Sequence, residues 1–147
     1  MKRFLVCLAV GLFAAGCSDS DGGGSPTDPS QVSIEFSFSD LTVGTGAEAM
    51  VGSNVTMLYE LWLYDPAGTA SKGIRRGGSS DPGAGPFPFR IGAGGVIPGI
   101  DQGVRGMRAG GTRRIYIPSS MAYGSQGQSG IPPNAALVFE VELTSVQ

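Results

Sequence analysis

Histidine is absent from the 147-residue sequence. This absence excludes Ser-His-Asp and Cys-His catalysis, zinc sites with histidine ligands, and the side chain that most often transfers protons near neutral pH. Most hydrolase mechanisms are therefore excluded, and whatever chemistry the protein performs must proceed without an imidazole.

Cysteine is scarce, with only Cys7 and Cys17 in the chain. Cys7 lies inside an amino-terminal apolar segment, and Cys17 follows the end of that segment. Residues 1–16 have the three parts of a secretory signal peptide, namely two basic residues, an apolar run over residues 4–13 and a small-residue exit. The apolar run is too short to span a bilayer as a permanent helix.

The sequence before Cys17 reads Ala-Ala-Gly and resembles a bacterial lipobox, with Ala14 where leucine is usual. We expect removal of residues 1–16 and lipid modification of Cys17 as the new first residue. The alternative is a cleaved signal peptide followed by an unmodified cysteine. Ser18 favours the outer membrane, with the domain facing the periplasm. With Cys7 removed and Cys17 lipidated, no disulfide can form, so the fold must be held by packing alone.

Positive charge is also limited. The formal net charge is −2, and removing the signal peptide takes away two cations, Lys2 and Arg3, which leaves −4. No cluster of Lys and Arg remains to neutralise a phosphate backbone, so nucleic acid is excluded as a partner.

Residues 17–30 hold the expected lipidated cysteine and a stretch rich in Gly, Ser, Pro and Asp. Such a stretch buries no apolar surface, so we expect a flexible linker with a reach of about 20 Å. Residues 31–147 are the expected folded domain, and their number suits one modest hydrophobic core.

Hydrophobic periodicity predicts several strands. Apolar and polar residues alternate over residues 32–38, as in a half-buried strand, whereas residues 55–64 are apolar on both faces, as in a central strand. Residues 86–92 contain two prolines, which confine them to a sheet edge or a bulge. Gly, Ser, Pro and Asp dominate residues 65–85, which predicts a long surface loop.

A short helix is predicted after Pro98, because proline is tolerated in a first turn and apolar residues follow at helical spacing: Ile100, Val104 and Met107. Asp101 and Arg105 lie four residues apart on another face. Residues 112–118 and 137–144 alternate as strands. The predicted fold class is α+β, with a mostly antiparallel sheet and one short helix.

Two other features of the sequence could be taken for a nucleotide-binding site and a metal site, but the residues do not fit either. The segment IGAGGVIPG places glycines between a strand and a helix, but Ile97 stands at the third glycine position of a nucleotide fingerprint and no βαβ repeat follows. The carboxylates of Asp40, Asp65 and Glu60 are scattered, which is typical of solvated surface rather than of a metal site. We therefore predict neither cofactor nor metal.

Four motifs follow one another towards the carboxy terminus: VIPG before the helix, GVRGMRAGG after it, then AYG, and finally IPPNAALVFEVEL. Residues 95–146 thereby resemble the FKBP-type peptidyl-prolyl isomerases, and a looser match extends the resemblance to residues 43–146. The resemblance implies an antiparallel sheet curled around one short helix. It also implies cis-trans isomerisation of X-Pro bonds, here in exported proteins during folding.

The resemblance assigns an apolar catalytic pocket to eight residues from separate segments: Tyr59, Phe87, Val96, Ile97, Ile100, Tyr123, Ile131 and Phe139. The rings would hold the pyrrolidine, and the hydroxyl of Tyr123 would donate a hydrogen bond to a substrate carbonyl. The implied partners are proline-containing polypeptides, macrolide inhibitors and, through Cys17, the membrane. We expect a monomer.

The chain departs from the family pattern at several positions. Ser71-Lys72 stands where the family usually has Phe-Asp, Ile100 stands at the floor position commonly held by Trp, and the loop between Tyr123 and Ile131 is one residue short. Trp62 or a residue of the long loop could replace the lost aromatic surface. We expect weak activity. A non-catalytic module that binds proline peptides, and an envelope scaffold with a vestigial pocket, remain as alternatives.

Overall fold

The computed structural model describes residues 32–147. The predicted signal peptide, the predicted lipidation site at Cys17 and the predicted linker lie outside this range. Between residues 32 and 147, no helix has both the length and the hydrophobicity needed to cross a bilayer.

Within the described range, the chain forms six strands and one α-helix: β1 (Ser37–Thr42), β2 (Asn54–Tyr64), β3 (Lys72–Gly78), β4 (Phe87–Arg90), α1 (Pro98–Gly103), β5 (Thr112–Ile117) and β6 (Leu137–Val146). The strand order is β1-β5-β6-β2-β3, with β4 also paired to β2. Every strand pair is antiparallel. The predicted α+β class, with an antiparallel sheet and one short helix, is confirmed.

The two longest strands, β2 and β6, form the interior of the sheet. They pair from Val55 opposite Val146 to Leu63 opposite Leu137. Because successive side chains of a strand point to opposite faces, every second residue faces the core. The buried inward side chains of these two strands are Val55, Met57, Leu61, Leu63, Leu137, Phe139, Val141 and Leu143. The predictions of β2 as a central strand and of β4 as an edge strand are confirmed.

Helix α1 packs closely against β5. A Cβ atom at Gly99 or at Gly103 would lie 2.3 Å or 2.6 Å from an isoleucine side-chain atom of β5, so glycine permits this approach. Pro98 occupies the first helical position, where an N–H would have no partner within the helix, so the missing N–H of proline costs no hydrogen bond. The helix is shorter than the predicted apolar stripe, since Val104 and Met107 lie beyond its last residue, although both are buried.

The strand predicted over residues 32–38 is correct only at its end. β1 begins at Ser37, opposite Tyr116, and continues to Thr42. Its partner β5 ends one residue before Pro118, which has no N–H to extend the ladder. Residues 32–36 keep the alternating burial without strand pairing. Every residue of β1 is exposed, so this strand forms an open edge rather than a half-buried element.

The prediction of an uninterrupted surface loop over residues 65–85 is wrong, because β3 lies within it. β3 pairs with β2, and its glycines, although poor strand formers, fit a crowded position. A Cβ atom at Gly78 would lie 2.6 Å from the carbonyl oxygen of Tyr59 and 2.4 Å from a carboxylate oxygen of Glu60. The composition of residues 65–85 gives no sign that β2 lies beside them, because the two segments become neighbours only in the folded sheet.

A buried arginine joins β1, β5 and the carboxy-terminal end of α1. Arg113 is 5% exposed, and its guanidinium donates to Asp40 at 2.6 Å and 3.1 Å. It also donates to the carbonyl oxygens of Gly103 at 2.8 Å and Arg105 at 3.1 Å. The ring of Phe38 lies 4.1 Å from the guanidinium carbon. Planar geometry with several donors suits arginine to this role, which fixes the end of the helix.

Candidate active site

An apolar cavity of about 400 Å³ lies between the inner face of the sheet and the amino-terminal end of α1. The residues that line it come from β2, β4, β6, α1 and two loops: Met57, Tyr59, Leu61, Phe87, Gly94, Gly95, Val96, Ile97, Ile100, Tyr123 and Phe139. None of these residues carries a charged side chain. The cavity therefore suits an uncharged, mostly apolar group.

β2 supplies one wall through alternate residues. Met57, Tyr59 and Leu61 all face the cavity, as the period of a strand requires. The backbone of Tyr59 is held on both sides by Ser79, because the N–H of Tyr59 donates to the Ser79 hydroxyl at 3.1 Å and the N–H of Ser79 donates to the Tyr59 carbonyl at 2.7 Å. The central tyrosine is thus anchored through its main chain.

Three aromatic rings from different strands meet at the cavity. The ring centroids of Tyr59 and Phe139 are 5.9 Å apart, and those of Tyr59 and Phe87 are 6.4 Å apart in an edge-to-face arrangement. Such distances are favourable for aromatic pairs. Phe139 is buried, whereas Phe87 is 39% exposed. Phe87 therefore borders the mouth of the cavity, and Phe139 lies deeper.

Tyr123 brings a phenol to the cavity from the loop between β5 and β6. Burial raises the pKa of this phenol above its ordinary value, and the nearby Tyr59 raises it further. A higher pKa keeps the hydroxyl protonated at physiological pH. Tyr123 is therefore a hydrogen-bond donor at the wall of an otherwise apolar site.

The segment between β4 and α1 closes another side. Gly94, Gly95, Val96 and Ile97 follow one another along the cavity, and Ile100 contributes from the first turn of α1. A Cβ atom at either glycine would meet nothing within 4 Å. These glycines leave the main chain uncovered at the cavity, where a bound peptide could approach it closely.

The comparisons with known proteins agree with this geometry. Residues 46–144 match the family model for FKBP-type peptidyl-prolyl cis-trans isomerases. The chain belongs to this family. This FKBP-type chain is 43% identical over 108 residues to the FK506-binding protein of Neisseria meningitidis serogroup A, and the match covers 73% of the chain and 92% of that relative.

Two further FKBP-type relatives are longer than the chain. Over 114 residues it is 39% identical to the chloroplastic peptidyl-prolyl cis-trans isomerase FKBP16-4 of Arabidopsis thaliana, a match that covers 75% of the chain and 47% of the relative. The crystal structure of FkpA from Escherichia coli superposes with a TM-score of 0.64 at 34% identity, covering 76% of the chain and 48% of FkpA. The chain thus spans about half the length of both relatives, and the FKBP-like fold expected from the sequence is confirmed.

Seven of the eight residues assigned to the FKBP pocket line the cavity, and Ile131 does not. The N–H of Ile131 donates to Gln128 at 2.7 Å and its carbonyl accepts from Gln128 at 3.0 Å, which closes a tight loop. Ile131 is buried and packs in the hydrophobic core. The pocket role assigned to Ile131 therefore stays a prediction, as do the catalytic roles of the other seven.

The position of the missing FKBP Phe-Asp pair differs from the expected one. Lys72 lies opposite Tyr64, at the far end of β2 from the cavity, so Ser71-Lys72 does not border the pocket. The residues beside the Tyr59 segment are Gly77 and Gly78, which lie opposite Leu61 and Glu60. Neither glycine carries a ring or a carboxylate, so two glycines occupy the place of the Phe-Asp pair rather than Ser71-Lys72.

Trp62 does not replace the lost aromatic surface. It alternates with the inward residues of β2 and therefore lies on the outer face of the sheet. There the ammonium of Lys72 sits 4.4 Å from its ring centroid and forms an ion pair with Glu140 at 3.1 Å. No residue of the range 65–85, which includes β3, is among those that line the cavity.

Four lining residues were missed from the sequence: Met57, Leu61, Gly94 and Gly95. The strand period could have found the first two, because they stand two places either side of Tyr59. The glycines give no such signal, since a residue without a side chain contributes only its main chain to a wall.

Proposed function

We propose that this chain is a peptidyl-prolyl cis-trans isomerase that acts on proline-containing segments of exported proteins. The observation that carries the proposal is the convergence of three aromatic rings and the half-buried phenol of Tyr123 on a single uncharged cavity. Its volume of about 400 Å³ lies within the range of small-ligand pockets. Family membership supports the same activity.

The reaction needs no nucleophile and no proton shuttle. Rotation about a peptide bond has a barrier of about 18–20 kcal/mol, which comes from amide resonance. The planar amide is more polar than the twisted one, because resonance separates charge between nitrogen and oxygen. An apolar cavity therefore favours the twisted amide relative to water. Catalysis by this preference is differential binding of the transition state, and it is compatible with a chain that has no histidine.

Four residues of the cavity have roles in this scheme. The rings of Tyr59, Phe87 and Phe139 hold the pyrrolidine, while the hydroxyl of Tyr123 donates to a substrate carbonyl. Holding one side of the bond lets the other side turn, which is a positioning effect rather than covalent catalysis.

A protease-coupled assay on an X-Pro peptide tests the proposal. The purified protein should accelerate cis-trans exchange, and Phe139→Leu should lower kcat/KM because it removes a ring from the cavity wall. Leu61→Met provides a control that alters a lining side chain without removing aromatic surface. Exchange at the uncatalysed rate, with correctly folded protein, would reject isomerase activity.

A second candidate function is binding of proline peptides without efficient catalysis, as in a chaperone module. The observation that favours it is the pair Gly77-Gly78, because neither of these residues supplies a ring or a carboxylate to the cavity. The same peptides would then shift the amide resonances of cavity residues on titration while exchange of the X-Pro bond stayed slow. Acceleration of that exchange separates the two functions directly.

Macrolide binding is part of the proposal. A relative that carries the name FK506-binding protein covers 73% of this chain at 43% identity, and the cavity presents the same kind of uncharged wall to a pipecolyl ring as to a proline. FK506 should compete with the peptide in the assay. Unchanged activity at saturating FK506 would argue against it.

Anchoring and location are proposals from the sequence. The lipobox-like segment before Cys17 supports a lipoprotein in the outer membrane that faces the periplasm. Labelled palmitate should be incorporated by the wild type and not by Cys17→Ser, and fractionation should place the protein with outer membranes. Sedimentation should give a monomer.

A further inference from the structure

We propose that Asp101 is a positioning residue that holds the rim segment, defined as Gly92–Ile97, in the conformation that borders the cavity. Asp101 itself is not among the lining residues. The inference rests on the proposed isomerase function and extends it to a residue that does not contact the cavity but acts through the rim segment.

Asp101 is a buried carboxylate with two distinct partners. The residue is 8% exposed, and one carboxylate oxygen accepts the N–H of Gly92 at 2.6 Å. The other oxygen accepts from the guanidinium of Arg105, one helical turn later. Hydrogen bonds to an ionised acceptor are stronger than those between neutral groups. The bond to Gly92 therefore ties the start of the rim segment to helix α1.

The rim segment has few other attachments. Ala93 donates to Arg90 at 3.2 Å, and Ile97 accepts from the helix at 3.0 Å and 3.2 Å. Between these points, no main-chain hydrogen bond within residues 32–147 fixes Gly94, Gly95 or Val96. Gly92 and Gly94 have φ angles of 84° and 75°, which glycine adopts without strain. The segment that borders the cavity is thus fixed mainly at its two ends.

Helix α1 is a firm support for the Asp101 carboxylate. Its two inward glycines pack against β5, and Arg113 holds its far end through the carbonyl of Gly103 at 2.8 Å. Ile100, the neighbour of Asp101, is buried in the core. Loss of the carboxylate would leave the helix in place and free only the rim segment.

Arg105 allows the two bonds of Asp101 to be separated. Its side chain is 45% exposed, whereas that of Asp101 is 12% exposed, so the guanidinium lies on the solvent side of the ion pair and water can take its place at the carboxylate oxygen. Arg105→Ala removes the ion pair and keeps the acceptor for Gly92. Asp101→Asn keeps an oxygen acceptor and removes the charge, while Asp101→Ala removes the acceptor altogether.

The test compares these three variants of the full chain by kcat and KM in the protease-coupled assay, by thermal unfolding, and by the NMR order parameters of the backbone amides of Gly94 and Gly95. We expect Asp101→Ala to lower kcat/KM by about tenfold to a hundredfold, the scale of a misplaced catalytic wall, and to lower the order parameters of both glycines. In Asp101→Asn we expect kcat/KM to fall about threefold, and in Arg105→Ala we expect kcat/KM to match that of the wild type within about twofold.

A folded Asp101→Ala protein with wild-type kcat/KM and wild-type order parameters at Gly94 and Gly95 would overturn the proposal, as would an equal loss of kcat/KM in Arg105→Ala. If Asp101→Ala does not fold, Asp101→Glu takes its place, because one extra methylene displaces the carboxylate from Gly92 while the charge remains. A wild-type kcat/KM in Asp101→Glu would equally refute it. If the wild type shows no isomerase activity, the proposed function fails, and the order parameters of Gly94 and Gly95 alone decide the role of Asp101.

Discussion

Replacement of Tyr123 by phenylalanine removes one hydroxyl from the cavity and leaves the ring that packs there. If that hydroxyl donates to a substrate carbonyl in the transition state, its loss should cost the net free energy of one neutral hydrogen bond, about 0.5–1.5 kcal/mol. That range corresponds to a fall in kcat/KM of about two- to twelvefold. A larger loss would imply a role beyond hydrogen bonding.

The pH dependence of this effect follows from the raised pKa of Tyr123. Below the ordinary tyrosine pKa of about 10, the hydroxyl is protonated in both folded and unfolded chains, so the ratio of wild-type to Tyr123→Phe activity should stay constant from about pH 6 to pH 9. As the pH rises through the folded pKa, the stability that comes from burying the neutral phenol is lost. The wild type should therefore lose more stability than Tyr123→Phe at strongly alkaline pH.

The protease-coupled assay measures the first effect, and urea unfolding at a series of pH values measures the second. Tyr64→Phe is the matched control, because Tyr64 lies at the end of β2 and pairs its ring with Tyr116 instead of lining the cavity. Equal activity of Tyr123→Phe and wild type, or an equal loss in Tyr64→Phe, would refute the hydrogen-bond role of Tyr123.

Three further substitutions test other parts of the structure. Lys72→Gln should leave kcat/KM within about twofold of wild type, because Lys72 lies away from the cavity, and a larger loss would restore it to the pocket. Gly78→Ala should destabilise the fold by about 1–3 kcal/mol in urea unfolding, because its Cβ would crowd the β2 backbone. Gly83→Ala is the control, since its Cβ would lie in open space and only the cost of its positive φ would be measured. Equal stability of Gly78→Ala and wild type would contradict the crowding. Arg113→Met should lower the unfolding free energy by about 2–4 kcal/mol, because it leaves buried carbonyls without donors, and a neutral result would mean that water replaces the guanidinium.

Much of the fold could be predicted because the alternation in β2 and β6 directly reflects which face is buried. The pocket assignment depended on motifs at Val96, Tyr123 and Phe139, which are fixed within short, well-matched segments. β3 could not be predicted in this way, because its glycines fit only against a neighbouring strand that the local sequence does not contain. The position equivalent to Phe-Asp was misplaced for a related reason. A Gly-rich stretch offers several alignments, and strand pairing selects one of them.

Ile131 shows a different limit of sequence reasoning. Apolar residues of a wall and of a core have the same chemistry, so only the path of the main chain decides between them. Here the turn between Gln128 and Ile131 directs the side chain into the interior.

The pairing of β2 with β6 has a consequence for how the molecule forms. These neighbours join residues 54–64 to the ten residues of β6, Leu137–Val146, so the middle of the sheet is closed by its last strand in sequence order. Contacts between such distant segments slow folding, since the chain loses the entropy of closing a long loop before these contacts can stabilise the fold. During synthesis the nascent polypeptide therefore lacks its central ladder until β6 has left the ribosome. A truncation within β6 would remove from β2 the strand with which it pairs over residues 55–63.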